Sequence, residues 1–304
     1  MVVRADDFDI DALLGDTFAK VGESPKVLQA ILDIAVANEP KPLVDPRTLP
    51  VRFSRLKQFA LSGAHYLHAA QNELVETLAL RMGAGVHAGL FEDRPLVCYP
   101  AIRNGKDWEK FKKKHLDSRA VILIESEYAT AMGIVNSVRR HKRAMELLFD
   151  GTTIEQTFEW KFGDRLCRST PDSHVVGVRN TDLKSTRTAE PRAFTRDALK
   201  RHYHSQLAFY DQGLEVHTGH RPADSYLVAV ENVPPFPVVV WRMPAETMDV
   251  GFKLCRLWWE QLLGCEASGY YPGYVESDLD LEIPTYEPHE PVTVEIDGAL
   301  VTVD

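Results

Sequence analysis

Three side chains in one short stretch could do hydrolytic chemistry together. Asp172 follows Pro171, and Asp182 and Lys184 stand two apart in Asp182-Leu183-Lys184. Residues 175–183, VVGVRNTDL, are apolar and β-branched enough to predict a strand. Side chains along a strand alternate faces, so Asp182 and Lys184 project together into one site. Asp172 stands at the turn or strand start just before them. Two carboxylates beside a lysine suit a hard, oxygen-seeking cation such as Mg²⁺. The lysine would orient a water or steady a developing negative charge while the metal polarises a phosphodiester.

Asp-x-Lys occurs on many exposed strands, and Pro-Asp also reads as a plain turn. The set becomes specific with the helical run behind it, where Gln206 and Tyr210 are four apart and share one face. Taken together, the stretch resembles the active-site core of the PD-(D/E)XK nuclease superfamily. Within it the chain is most similar to the phage RecE (exodeoxyribonuclease VIII) branch, a relative of lambda exonuclease. TPD at 170–172, DLKST at 182–186 and QLAFYDQGL at 206–214 carry the resemblance, the last matching the family's Gln-x-x-x-Tyr motif. Thr170 departs from the family, where a basic residue commonly precedes Pro-Asp; that puts one phosphate or structural contact in doubt.

The resemblance implies an α/β fold with a PD-(D/E)XK restriction-endonuclease-like core, a mixed central sheet flanked by helices. It implies Asp172, Asp182, Lys184, Gln206 and Tyr210 as catalytic residues. Gly83-Ala84-Gly85-Val86-His87 fits the family's Gly-x-x-x-His helix, which supplies a ligand histidine. His87, Asp172, Asp182, the Leu183 carbonyl and Glu155 would then hold one or two Mg²⁺ ions, with Mn²⁺ as a substitute. Glu159 competes with Glu155, because positions four apart along a strand return to the same face. The activity implied is metal-dependent hydrolysis of linear duplex DNA from its ends, running 5′ to 3′ and leaving 3′ single-stranded tails. A RecT-like annealing partner and a ring-shaped homo-oligomer go with it. The rivals are an endonuclease of the same superfamily and a non-catalytic DNA-binding protein with the same fold.

Composition bounds the setting. The chain has 304 residues, 44% apolar and 26% charged, as in ordinary globular proteins. Its formal net charge of −9 counts against nucleic-acid binding, although a metal-lined cleft can be acidic while basic rims hold phosphates. No apolar run approaches a membrane span and no signal-peptide core opens the chain, so a cytoplasmic location is expected. The four cysteines form no Cys-x-x-Cys, which disfavours a zinc ribbon and predicts free thiols.

The elements that must position these residues follow from capping and periodicity. Residues 1–50 read as an extension, with a helix over 24–38 and a proline-rich arm before Pro50. The nuclease domain spans 51–287 and a β-hairpin tail 288–304. Helices are predicted from Ser54, over 77–95, over 125–149 as one long helix, from Glu190-Pro191 through Tyr210, and over 245–263. Glycines at 83, 85 and 89 suggest close backbone approach around His87. Residues 151–166 predict a strand pair, and 224–233 and 237–243 two further strands. The segments 103–115 and 139–143 are locally basic; each reads as a solvated surface or as a DNA-facing rim.

Overall fold

The computed structural model describes residues 44–72, 75–92 and 94–281, together with the backbone of two strands in 292–303. The helix expected over 24–38 lies outside the described residues. In chain order come α1 (Phe53–Leu56), a 3-10 turn (Lys57–Ala60), α2 (Gly63–Gln71) and α3 (Leu78–Leu90). Then follow β1 (Leu96–Tyr99), α4 (Gly105–Lys114), β2 (Val121–Ile124), α5 (Glu125–Arg140) and α6 (Lys142–Phe149). The middle of the chain holds β3 (Thr153–Ile154), β4 (Phe158–Phe162), β5 (Arg165–Ser169), β6 (Ser173–Val175) and β7 (Arg179–Thr186). After these come α7 (Pro191–Lys200), α8 (Tyr203–Thr218), β8 (Asp224–Glu231), β9 (Val238–Met243) and α9 (Ala245–Ser268). The last pair is β10 (Val292–Ile296) with β11 (Ala299–Val303), which run antiparallel.

The fold is α/β, with a mixed central sheet in the order β3-β6-β7-β8-β9. Only β7 and β8 pair in parallel within it, and α7 and α8 make the crossover that a parallel pair requires. Alternation along the strands sends two sets of side chains to two helical layers. Leu183, Val228 and Val230 pack on one face against Met82 and Val86 of α3 and Ile134 and Val138 of α5. Leu227 and Ala229 face the other way, against Phe194 of α7, Leu207 and Ala208 of α8 and Met248 of α9. A third core joins the β4–β5 hairpin to α8, α9 and the N-terminal helices through Trp160, Phe209 and Trp258.

Several elements break where periodicity alone predicts continuity. Residues 175–183 are not one strand: Val176, Gly177 and Val178 turn the chain between β6 and β7, with Gly177 at φ +68°. The run from Ser54 ends at Leu61, and Ser62 caps a new helix by accepting from the His65 N–H. The long helix expected over 125–149 stops at His141, whose Nδ1 accepts the Ala144 N–H at 3.1 Å and starts α6. The helix from Pro191 stops before His202, which adopts φ +59° and redirects the chain into α8. Glu190 caps α7 by accepting from the N–H groups of Arg192 and Ala193.

Two glycines around His87 do what close approach requires. A Cβ on Gly85 would stand 2.6 Å from Leu123 Cδ1, and one on Gly89 would stand 2.8 Å from Val135 Cγ2. Gly83 has no neighbour within 4 Å of that position and serves no such purpose. α3 therefore lies flush on β2 and α5, which fixes the azimuth of His87.

Candidate active site

The site forms where the short strand β6 stops and leaves an edge of β7 uncovered. Ser173 pairs with Thr181, so Asp172 sits one step beyond the ladder, level with Asp182. Its carboxylate Oδ2 accepts the Leu183 N–H at 2.6 Å, taking the place of a missing strand partner. The N–H and C=O of one strand residue leave by the same edge. The Leu183 carbonyl therefore opens toward Asp172.

Asp182 and Lys184 share a face of β7, as alternation requires, and Lys184 Nζ lies 2.6 Å from Asp182 Oδ2. The contact is an ion pair without hydrogen-bond alignment, and that oxygen has no other partner. Asp182 is 1% exposed. Burial first, then the neighbouring Asp172 charge, pushes its pKa up to about 6 against the pull of Lys184. Burial also works against the Lys184 ammonium, but Asp182 and Asp172 outweigh it and hold its pKa above the usual lysine value.

α3 brings His87 to the other side of the acids. Its Nδ1 lies 2.5 Å from Glu155 Oε1, and its Nε2 lies 3.9 Å from Asp172 Oδ2. Burial disfavours the charged imidazole, yet Asp172 and Glu155 outweigh that and raise its pKa to about 9. Glu155 reaches this position from a left-handed backbone, φ +46°, held by its N–H donating to the Asp172 carbonyl at 3.0 Å. Glu159 points elsewhere and pairs with Arg168 across the β4–β5 hairpin. The structure thus places Glu155, not Glu159, beside His87.

α8 closes the site from the far face of the sheet. Tyr203, Gln206 and Tyr210 fall on one side of it, at spacings of three and four. Gln206 Nε2 donates to Tyr210 Oη at 2.7 Å. Burial pushes the Tyr210 phenol up to about 12, so it keeps its proton beside Asp182 and Lys184. The Tyr203 ring lies 5.0 Å from Lys184 Nζ, a cation–π contact.

Two residues of this site lie outside the expected set. Glu92 joins His87 and Glu155, with ligand atoms of all three within 4.8 Å of one another. Arg94 pairs with the Glu92 carboxylate and holds it there. Its signal in the sequence is weak, because it lies five residues after His87, just past the helix end. Tyr203 could have been found, since it continues the 206/210 face one turn back.

These donors fit a divalent cation of the Mg²⁺ or Mn²⁺ kind. They offer carboxylates, a backbone carbonyl and one imidazole, and ligand atoms of His87, Glu92 and Glu155 converge within 4.8 Å of one another. His87 and Lys184 lie against these acids from either side.

Residues 52–278 match the family described as a PDDEXK-like domain of unknown function, DUF3799. The chain belongs to this PDDEXK-like family. Its fold is also that of a crystal structure of a candidate exonuclease from Eubacterium rectale, with a TM-score of 0.54 and 12% identity over 94% of this chain and 97% of that one. A second solved structure, SSO0001, is 11% identical over 69% of this chain and 88% of that one, with a TM-score of 0.26. No curated protein matches. A cavity of about 810 Å³ between the β4–β5 hairpin and α9 is lined by none of the catalytic candidates.

Proposed function

We propose that the protein is a metal-dependent deoxyribonuclease acting on the ends of linear duplex DNA. The convergence of Asp172, Asp182 and Lys184 on one uncovered strand edge, with His87 and Glu155 opposite, carries this reading. A binding module has no use for a buried acid pair beside a lysine; hydrolysis does. A divalent cation, Mg²⁺ or Mn²⁺, would supply Lewis acidity and a bound water as nucleophile. His87, Asp172, Asp182, Glu155 and the Leu183 carbonyl would hold it. Lys184, charged at neutral pH, orients the attacking water and offsets negative charge on the phosphorus centre. Gln206 and the protonated Tyr210 fix that side of the site through their mutual hydrogen bond.

Action from ends is favoured over internal cutting by the RecE-like residues at 170–186 and 206–214 and by the fold shared with a candidate exonuclease. The same resemblance supports 5′-to-3′ polarity, 3′ tails for an annealing partner, and a homo-oligomeric ring around the DNA. Among the described residues no helix is long and apolar enough to cross a membrane.

The test uses linear duplex DNA labelled at either end, alongside closed circles, with Mg²⁺ or EDTA. Linear DNA should be lost from 5′ ends only with Mg²⁺, and Asp182→Asn should lower the rate by at least about 10³-fold. Cutting of circles would assign the chain to the endonuclease branch. An inert folded protein, with Mn²⁺ also tried, would remove the catalytic reading.

A further inference from the structure

Two groups hold the Lys184 ammonium. Asp182 Oδ2 lies 2.6 Å from Nζ, and the Tyr203 ring centre lies 5.0 Å from it. A lysine carries its charge on a flexible four-carbon stem, so its place is set by what it touches. The Asp182 contact cannot fix it alone. Asp182 is also a candidate metal ligand, and a divalent cation among these acids would compete for the carboxylate and repel the ammonium. An aromatic face is outside that competition. It attracts the ammonium through its quadrupole and offers a metal no ligand atom.

The backbone is bent to put Tyr203 there. His202, just before it, takes φ +59°, a left-handed conformation that a non-glycine residue adopts at a cost. The bend follows α7 and makes Tyr203 the first residue of α8. The His202 ring meets Trp258 edge-on at 5.1 Å, which holds the bend against the core. The half-buried Tyr203 ring lies 6.4 Å from Phe194, which in turn stacks on Trp241 at 5.4 Å. Tyr203 thus belongs to a packed aromatic row and has little freedom of its own. It also lines a groove of about 730 Å³ that opens beside the active site, together with Ser185, Thr186 and Glu127. A side chain that borders open space and touches the ammonium is placed to keep the lysine with the acids.

We propose that Tyr203 is a positioning residue for Lys184, its ring face keeping the ammonium in place while Asp182 is engaged by a metal. The reaction served rests on the nuclease reading above. The ring is the working part and the hydroxyl is not. Tyr203 therefore differs from Tyr210, whose hydroxyl accepts from Gln206.

Variants of the full chain separate ring, hydroxyl and packing. Tyr203→Leu keeps an apolar filling and removes the aromatic face; Tyr203→Phe keeps the face. In steady-state cleavage of linear duplex DNA with Mg²⁺, Tyr203→Leu should lower kcat about tenfold and leave KM within about twofold. Tyr203→Phe should recover most of that loss. If Tyr203→Leu does not fold, Tyr203→Met reads the same quantity. A second readout needs no turnover. The Lys184 ε-methylene protons, identified by their disappearance in Lys184→Arg, should lie upfield of ordinary lysines in NMR spectra, shifted by the ring current. The shift should persist on adding Mg²⁺, survive in Tyr203→Phe and vanish in Tyr203→Leu. Equal loss of kcat in the Phe and Leu variants would overturn the proposal in favour of the hydroxyl. A raised KM at steady kcat would overturn it in favour of DNA binding. Wild-type kcat in Tyr203→Leu would overturn it and leave the nuclease reading standing. A ring-dependent Lys184 shift in a wild-type chain that cuts no DNA would uphold the contact and sink the nuclease reading.

Discussion

Single residues at the centre of the site were legible because they are local in sequence. Asp182 and Lys184 needed only strand alternation, and Asp172 only its place before the same strand pair. Glu92 was not legible, because its partners His87 and Glu155 are assembled by two separate elements. It makes a direct prediction. Glu92→Gln should weaken Mn²⁺ binding by about 10-fold, the lower end for loss of a supporting ligand. Calorimetry without DNA checks it, and unchanged affinity would return Glu92 to a simple partner of Arg94. A second residue-scale prediction concerns Asp211, buried behind the site. Its carboxyl accepts from Asn180 Nδ2 at 2.8 Å and Ser225 Oγ at 2.7 Å. Burial nevertheless pushes its pKa up to about 7, against those two hydrogen bonds. The folded state thus holds a proton that the unfolded chain releases near pH 4. This contribution to stability is complete below pH 4 and is lost as pH rises toward 7. Asp211→Asn keeps an acceptor for Asn180 Nδ2, reverses the second contact so that its amide donates to Ser225 Oγ, and abolishes the titration. It should raise stability at pH 8 by about 1–3 kcal/mol and leave stability at pH 4 nearly unchanged. Thermal melts at the two pH values decide it; an equal effect at both would rule out the buried charge as the cause.

Elements were legible by type more than by extent. Helices and strands fall where periodicity put them, but the breaks at His141 and His202 carry no glycine or proline signal. At His141 an imidazole serves as the cap, a role usually taken by Ser, Thr, Asp or Asn, so the sequence reads as unbroken helix. At His202 a non-glycine residue takes a left-handed backbone that only packing can enforce. The strand over 175–183 failed for the opposite reason: its valines flank a turn glycine, and Val176 and Val178 are exposed. Packing between α8 and α9 gives a prediction on this scale. A Cβ on Gly251 would lie 2.6 Å from the His204 carbonyl oxygen, and backbone cannot rotate away. Gly264, on the same helix, is exposed and has nothing within 4 Å. Gly251→Ala should therefore cost about 1–3 kcal/mol, and Gly264→Ala should gain up to about 1 kcal/mol. Urea unfolding midpoints measure both. Gly251→Ala should also lower activity, because α8 carries Gln206 and Tyr210. Equal effects at the two sites would mean that helix propensity alone is being read.

At the scale of the whole molecule, charge and chemistry pull in different directions. The chain carries −9 overall, yet α4 exposes Lys106, Lys110, Lys112, Lys113 and Lys114 along one short helix. Arg103 anchors the start of that helix to Glu127, next to the groove beside the active site. A DNA-facing rim there would let an acidic protein hold a polyanion at low salt only. Replacing Lys110, Lys113 and Lys114 together with Gln should lower duplex affinity and flatten the salt dependence by about 0.9 for each phosphate no longer neutralised. An unchanged slope would make α4 an ordinary solvated surface. Fold class was legible at this scale because the motif order specifies the sheet. The β4–β5 hairpin was legible as a strand pair, but its separation from the central sheet and the separate β1–β2 pair were not, since strand partners are set by tertiary packing that a period-two pattern does not name.

The placing of both acids on one tight hairpin also bears on how the protein unfolds. Asp172, Asp182 and Lys184 are joined by β6, its turn and β7, so only a small loop separates the two carboxylates along the chain. Closing a small loop costs little entropy, so the denatured chain can still bring this pair around a cation. His87 and Tyr210 come from remote segments and leave the site when the fold is lost. A ligand that retains some affinity for the denatured ensemble stabilises the native state by less than its native affinity alone would give. Divalent ions should thus act on this protein more as a requirement for turnover than as a scaffold for folding.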